Sequence, residues 1–127
     1  LQQAIINGAG VLFTLIASAA QAAPAAFEQA AFDMRQKEGK PTLIAIHADW
    51  CPTCKAQAPA IDALLGMPEY RAFQAVRVNF DTQKDAVKYF KATMQSTLIV
   101  YKDGKEVGRS TGESKKESIA ALLQKAL

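Results

Sequence analysis

The stretch from Thr42 to Pro59, T-L-I-A-I-H-A-D-W-C-P-T-C-K-A-Q-A-P, decides the fold because an apolar run leads directly into two cysteines spaced two residues apart. Leu43, Ile44, Ala45 and Ile46 form a near-continuous hydrophobic run, the pattern of a central strand covered on both faces. Asp49 and Trp50 end it. Pro52 suits the first position of a helix, where its missing N–H costs nothing and its fixed φ already fits, so Cys51 is expected at a helix N-terminus. Unpaired N–H groups and the helix dipole there favour a thiolate over a thiol. Cys54 falls one turn later on the same face, placed to attack a mixed disulfide on Cys51 and release the partner. The residues therefore point to dithiol exchange, with Cys51 titrating below the free-thiol value of about 8.5 and Cys54 above Cys51.

Other readings of the pair are weaker. A zinc site wants four ligands, and the chain has two cysteines and one histidine, His47. His47 is expected as a hydrogen-bonded strand residue, and no metal is assigned. Lys55 after Cys54 breaks the C-x-x-C-H haem pattern. A purely structural disulfide around so small a loop would contribute only about 2 kcal/mol. Trp50 would ordinarily be a core aromatic, but its adjacency to Cys51 makes it a candidate wall of the site. Lys55 is read as a solvated helix charge.

With 127 residues, half of them hydrophobic, the chain suits one domain with a substantial core. Its formal charge of +3 is spread over short segments without interleaved aromatics, which excludes a nucleic-acid stripe. The first charged residue is Glu28, and the apolar region from Gly10 to Ala20 runs into A-Q-A at Ala20 to Ala22. Residues 1–22 are thus expected to be a secretory signal, leaving residues 23–127 as the domain, outside the cytoplasm and by expectation periplasmic. A membrane span needs about 20 apolar residues, and Asn7, Gly8, Gly10, Thr14, Ser18 and Gln21 interrupt this one, so membrane attachment is expected only if the segment stays uncleaved.

From Pro24 the spacing predicts a helix with Phe27, Ala30, Ala31 and Met34 inward and Gly39 as its stop. A strand over Thr42–Ala48 follows, then a helix after Pro52 with Ala56, Ala60, Ile61, Leu64 and Leu65 inward, ending at Gly66. Met67 to Phe73 reads as a connector holding one helical turn. Val76, Val78 and Phe80 alternate in a second strand, and Asp81 or Thr82 is expected to cap a helix carrying Ala86, Val87, Phe90 and Met94. Thr97–Tyr101, the turn Asp103-Gly104 and Glu106–Ser110 predict an antiparallel hairpin. Ser114 to Glu117 fits a capping box before a helix with Ile119, Leu122, Leu123 and Ala126 inward. The order α-β-α-β-α-β-β-α implies an α/β fold with a mixed sheet of about four strands and helices on both faces.

At A-D-W-C-P-T-C-K the sequence resembles the thioredoxin family, a likeness that extends over Ala25 to Leu127 through Pro59, the Asp81 strand end, the K-D-G-K hairpin and Gly112. The resemblance implies a thioredoxin fold and thiol–disulfide oxidoreductase activity, with Cys51 attacking, Cys54 resolving and Trp50 offering a flat surface beside the sulfur. It implies protein disulfide or dithiol substrates, an upstream redox partner, a monomer and no cofactor. The direction expected is reduction or isomerisation of partner disulfides. A binding or chaperone module with slow cysteines and a metal-delivery protein are the alternatives.

Three departures from the family pattern shape the site. Pro52-Thr53 replaces Gly-Pro between the cysteines, so a thioredoxin's redox potential is not carried over. Ala45 stands where the family holds a buried aspartate. Ser96, after Gln95, stands where the family has a cis-proline. A cis bond before a non-proline residue costs about 2.5 to 4 kcal/mol, so Gln95–Ser96 is expected to be trans in a reshaped loop. The serine is also expected to bring an N–H and a hydroxyl near Cys51.

Overall fold

The computed structural model describes Gly10 and residues 24–127. The expected signal segment therefore lies outside the described residues, Gly10 aside. Among the described residues no helix is long and apolar enough to cross a membrane.

The described residues form one five-stranded mixed sheet: β1 (Ala25–Ala26), β2 (Thr42–His47), β3 (Gln74–Asn79), β4 (Thr97–Lys102) and β5 (Lys105–Thr111), in the spatial order β1-β3-β2-β4-β5. β2 runs parallel to β3 and antiparallel to β4, so the strand that leads to the cysteines is paired on both sides. The helices are α1 (Gln29–Lys37), α2 (Pro52–Leu65), α3 (Lys84–Tyr89) and α4 (Lys116–Gln124), with a 3-10 turn at Pro68–Tyr70 in the expected connector.

The alternation of β2 sorts the core into two layers. Leu43 and Ala45 pack with Leu98 and Val100 of β4 beneath Ile61 and Leu64 of α2 and Ile119, Leu122 and Leu123 of α4. Ile44 and Ile46 face the other way with Val76, Val78 and Ile99, under Phe27, Phe32 and Phe90. Phe90 centres that layer, its ring 5.2 Å from Phe27, 5.4 Å from Phe32 and 5.7 Å from Tyr101, all edge-on. Each such fully buried side chain contributes about 1.5 to 3 kcal/mol.

Several local expectations are corrected. β1 is a fifth strand that two alanines do not advertise. It exists because it pairs in parallel with β3, and Phe27 N–H extends the ladder to Arg77 O at 2.9 Å. That strand delays α1 to Gln29, so the face counted from Phe27 is out of phase. Phe32 is the residue α1 buries, while Ala30, Ala31 and Met34 are exposed. In α2 the buried positions are Cys54, Gln57, Ile61 and Leu64, whereas Ala56 faces out and Ala60 and Leu65 are half-buried.

α3 is shorter than its periodicity suggested and stops at Tyr89, because Lys91 takes a left-handed φ of +53° and turns the chain away. Met94 is consequently exposed. Neither Asp81 nor Thr82 caps α3; their backbone N–H groups donate instead to Asn79 Oδ1, at 2.9 and 3.0 Å. The capping box at Ser114 does not form either. α4 begins one residue later than the box requires, after Lys115, whose N–H is held by Glu113 Oε1 at 2.9 Å. Its inward face is as read, with Ile119, Leu122, Leu123 and Ala126 all buried. In the hairpin, Asp103 and Gly104 both carry positive φ (+53° and +77°), the conformation an Asp-Gly turn supplies.

Candidate active site

The site lies at the carboxyl end of β2, the edge at which open α/β sheets receive ligands. Cys51 is the N-cap of α2 in extended backbone, with Pro52 as first helical residue. Its sulfur accepts the backbone N–H of Cys54 at 3.1 Å, so one of the helix's otherwise unpaired donors points at the thiol. Cys51 N–H donates to Ala48 O at 3.1 Å, which fixes the bend between strand and helix. Both cysteines are free thiols, and both are buried. Burial therefore does not distinguish their roles; hydrogen bonding does. Cys54 lies over the end of β2, its sulfur 3.9 Å from Ile46 O.

Burial pushes the Cys54 thiol above its ordinary pKa, and its hydrogen bond with Cys51 pushes in the same direction, against the smaller opposing pull of the Ala48 and Ser96 backbone amides. A raised pKa means that Cys54 is protonated through neutral pH and becomes a thiolate only at more alkaline pH than an ordinary thiol. In a Cys51→Ser protein, where burial still acts, the midpoint of Cys54 alkylation by iodoacetamide should lie above about 8.5. A midpoint at or below that value would overturn the assignment.

Trp50 is 57% exposed, so it is a surface residue of the site and not a core aromatic. Its indole N–H donates to Asp81 Oδ2 at 2.8 Å, tying the loop before Cys51 to the end of β3. Phe80, next to Asp81, packs against Ala48, Cys51 and Cys54. His47 Nε2 lies 3.2 Å from Asp49 Oδ1, the hydrogen-bonded strand residue expected. Pro52 is exposed and Thr53 and Gln95 are half-buried.

The Gln95–Ser96 bond is trans, like every other peptide bond among the described residues. Ser96 is nonetheless unusual, because it is buried and holds a left-handed φ of +59°. Its N–H donates to Ile46 O at 2.8 Å, a bond no proline could make. The expectation that this N–H would serve Cys51 is thus corrected: it closes the end of β2, and the sulfur its amide influences is that of Cys54. Ser96 O accepts from Gly112 N–H at 3.0 Å and from Gln57 Nε2 at 3.0 Å, and Gln57 also reaches Glu113 O at 2.9 Å.

Gln57 is the site residue that the sequence reading missed. The available signal was a single amide among otherwise apolar inward positions of α2, three residues beyond Cys54. Arg77 is a second. It sits opposite Ala45 in the β2–β3 register, and its Nε is buried without a hydrogen-bond partner, a polar group to which the alanine methyl offers nothing.

Replacing Ser96 by proline should destabilise the domain. Proline cannot adopt φ +59° and leaves Ile46 O without its backbone donor, with only the long contact from the Cys54 thiol. An unsatisfied buried acceptor costs about 1 to 3 kcal/mol, and the denaturation midpoint should fall by roughly 5 to 20 °C in a domain of this size. An unchanged midpoint would show that this loop does not depend on the hydrogen bond.

A helix-capping thiol and a second, buried thiol one turn on, set at the carboxyl edge of a mixed sheet, define a thiol–disulfide oxidoreductase. The thioredoxin family model matches residues 21–125. The crystal structure of Trxlp from Edwardsiella tarda is similar at 40% identity and a TM-score of 0.77, covering 80% of this chain and 98% of that one. The thioredoxin of Chlamydia trachomatis is 35% identical over 83 residues, 65% of this chain and 79% of the relative. That of Staphylococcus epidermidis is 31% identical over 96 residues, 76% and 90% of the two chains. The chain belongs to the thioredoxin family and acts on protein disulfides.

Proposed function

We propose that Cys51 is the attacking thiolate and Cys54 the resolving thiol of a reductase or isomerase working outside the cytoplasm. The observation that carries the role assignment is the Cys54 N–H donated to Cys51 Sγ at 3.1 Å, a helix N-terminal donor aimed at Cys51, whereas burial outweighs the backbone amides near Cys54 and keeps that thiol protonated. Cys51 S⁻ attacks a partner disulfide, forming a Cys51–partner bond and expelling the partner's other sulfur as a thiolate. Cys54 then gives up its proton and attacks Cys51 Sγ, forming the Cys51–Cys54 disulfide and releasing the second partner thiolate. Two electrons leave the chain, and an upstream dithiol returns them. Trp50 and the segment Gln95-Ser96 frame the approach of the partner, and Pro52 and Thr53 set the thiolate's stability.

Insulin reduction with dithiothreitol as electron source tests the activity. Precipitation of the freed B chain well above the uncatalysed rate is expected, and a rate equal to the blank would refute the reading. The reduction potential of Cys51–Cys54 against glutathione decides direction: a strongly oxidising value would make the protein an oxidant of its partners.

The extracytoplasmic assignment is supported by the uncharged run ahead of Glu28 and the small residues Ala20 and Ala22 around Gln21. Cleavage between Ala22 and Ala23 is the expected processing. Mass spectrometry of the protein produced from its full-length gene reads it directly, and a membrane-bound product that retains Leu1 to Ala22 would mean an anchor instead.

A further inference from the structure

A groove of about 470 Å3 lies along α3, lined by the apolar side chains of Phe80, Val87 and Ala92 and by Lys84, Lys88 and Lys91. Phe80 links it to the site, since that ring packs against the cluster of Ala48, Cys51 and Cys54 as well as lining the groove. Lys84 and Lys88, four residues apart, share one side of α3, and Lys91, just beyond the helix end, lines the same groove. Like charges so placed repel one another, a cost that no partner within the described residues offsets, for none of the three lysines forms an ion pair there. Of the neighbouring acids, Asp81 accepts the Trp50 indole, and Asp85 lines a second hollow with Lys84, Phe27 and Gln29 without forming an ion pair there. Three lysines without ion-pair partners among apolar side chains, one of which packs on the cysteine pair, form a surface that is complementary to an acidic segment bearing an apolar side chain.

The geometry points to a substrate class, resting on the exchange reading above: protein disulfides flanked by an apolar residue and by aspartates or glutamates. The segment lays its apolar side chain over Phe80 and Val87 while its carboxylates meet Lys84, Lys88 and Lys91, which brings the adjoining disulfide to Cys51. The lysines act on binding and encounter and touch none of the reacting atoms. Their effect is therefore electrostatic and fades as salt screens it.

Single-turnover reduction of three disulfide peptides, identical except for flanking Glu-Leu, Gln-Leu or Lys-Leu residues, tests this, with hydroxyethyl disulfide as a small neutral control. At low ionic strength the fully reduced protein should reduce the Glu-flanked peptide on the order of tenfold faster than the Lys-flanked one, with the gap closing at high salt. In the variant K84Q/K88Q/K91Q that preference should vanish, while the control disulfide reacts at the unaltered rate. A second variant, K37Q/K105Q/K116Q, removes the same net charge from other elements and should keep the preference. Equal rates for the Glu- and Lys-flanked peptides, or loss of the preference in both variants, would overturn the groove assignment and leave the exchange reading intact. Failure to reduce the control disulfide as well would overturn the exchange reading, and this proposal with it.

Discussion

Cys51→Ser should reduce disulfide exchange to the uncatalysed background, a loss on the order of a thousandfold or more, because a hydroxyl offers no comparable nucleophile at neutral pH. The fold should survive. Serine is among the best N-cap residues, and its oxygen can accept the Cys54 N–H that Cys51 Sγ now holds at 3.1 Å. Pro52 remains in place to start α2. Thermal unfolding of the variant should therefore track the parent while insulin reduction disappears. Retained turnover would assign the attack to Cys54, and a collapse of stability would show that the sulfur's packing against Ala48 and Phe80 matters more than its chemistry.

Cys54→Ser should fail in the opposite manner. Attack by Cys51 is intact, but the mixed disulfide has no sulfur to resolve it, so a Cys51–partner adduct should accumulate towards one equivalent while steady-state reduction is lost. The exchange replaces a buried thiol beside Ile46 O with a hydroxyl of similar size that can donate to the same carbonyl, so disruption of the core should be small. Non-reducing electrophoresis followed by peptide mapping reads the adduct. No adduct should form in the Cys51→Ser protein, where the surviving thiol is buried and held protonated through neutral pH. Equal trapping by the two variants would defeat the division of roles.

The elements that decided the fold were legible because their signals are local. β2 announced itself as an unbroken apolar run, and the structure buries Leu43, Ile44, Ala45 and Ile46 while pairing the strand on both sides. The Asp-Gly turn needed only its own two positive φ values, and α4 needed only its apolar spacing. The start of α2 was equally local, since a proline at the first helical position fixes the cap at Cys51. β1 was not legible. Two alanines carry no strand signal, and only pairing with β3 makes them a strand. The length of α3 was misjudged for a related reason: apolar spacing continued to Met94, but the left-handed turn at Lys91 ended the helix first.

The chemistry of this protein was therefore determined by the sequence itself: two sulfurs one helical turn apart, a proline that starts the helix between them, and a strand that delivers them to the edge of the sheet. What surrounds those sulfurs was decided only by the tertiary structure. The Trp50–Asp81 bond spans 31 residues of sequence and the Gln57–Ser96 bond 39. No local pattern encodes either, because each exists only after parallel and antiparallel pairing has carried the ends of β3 and β4 alongside β2. The same long-range closure gave Ser96 its task. Its N–H meets Ile46 O because β4 lies antiparallel to β2, a partner that the serine's own neighbours in the chain do not reveal.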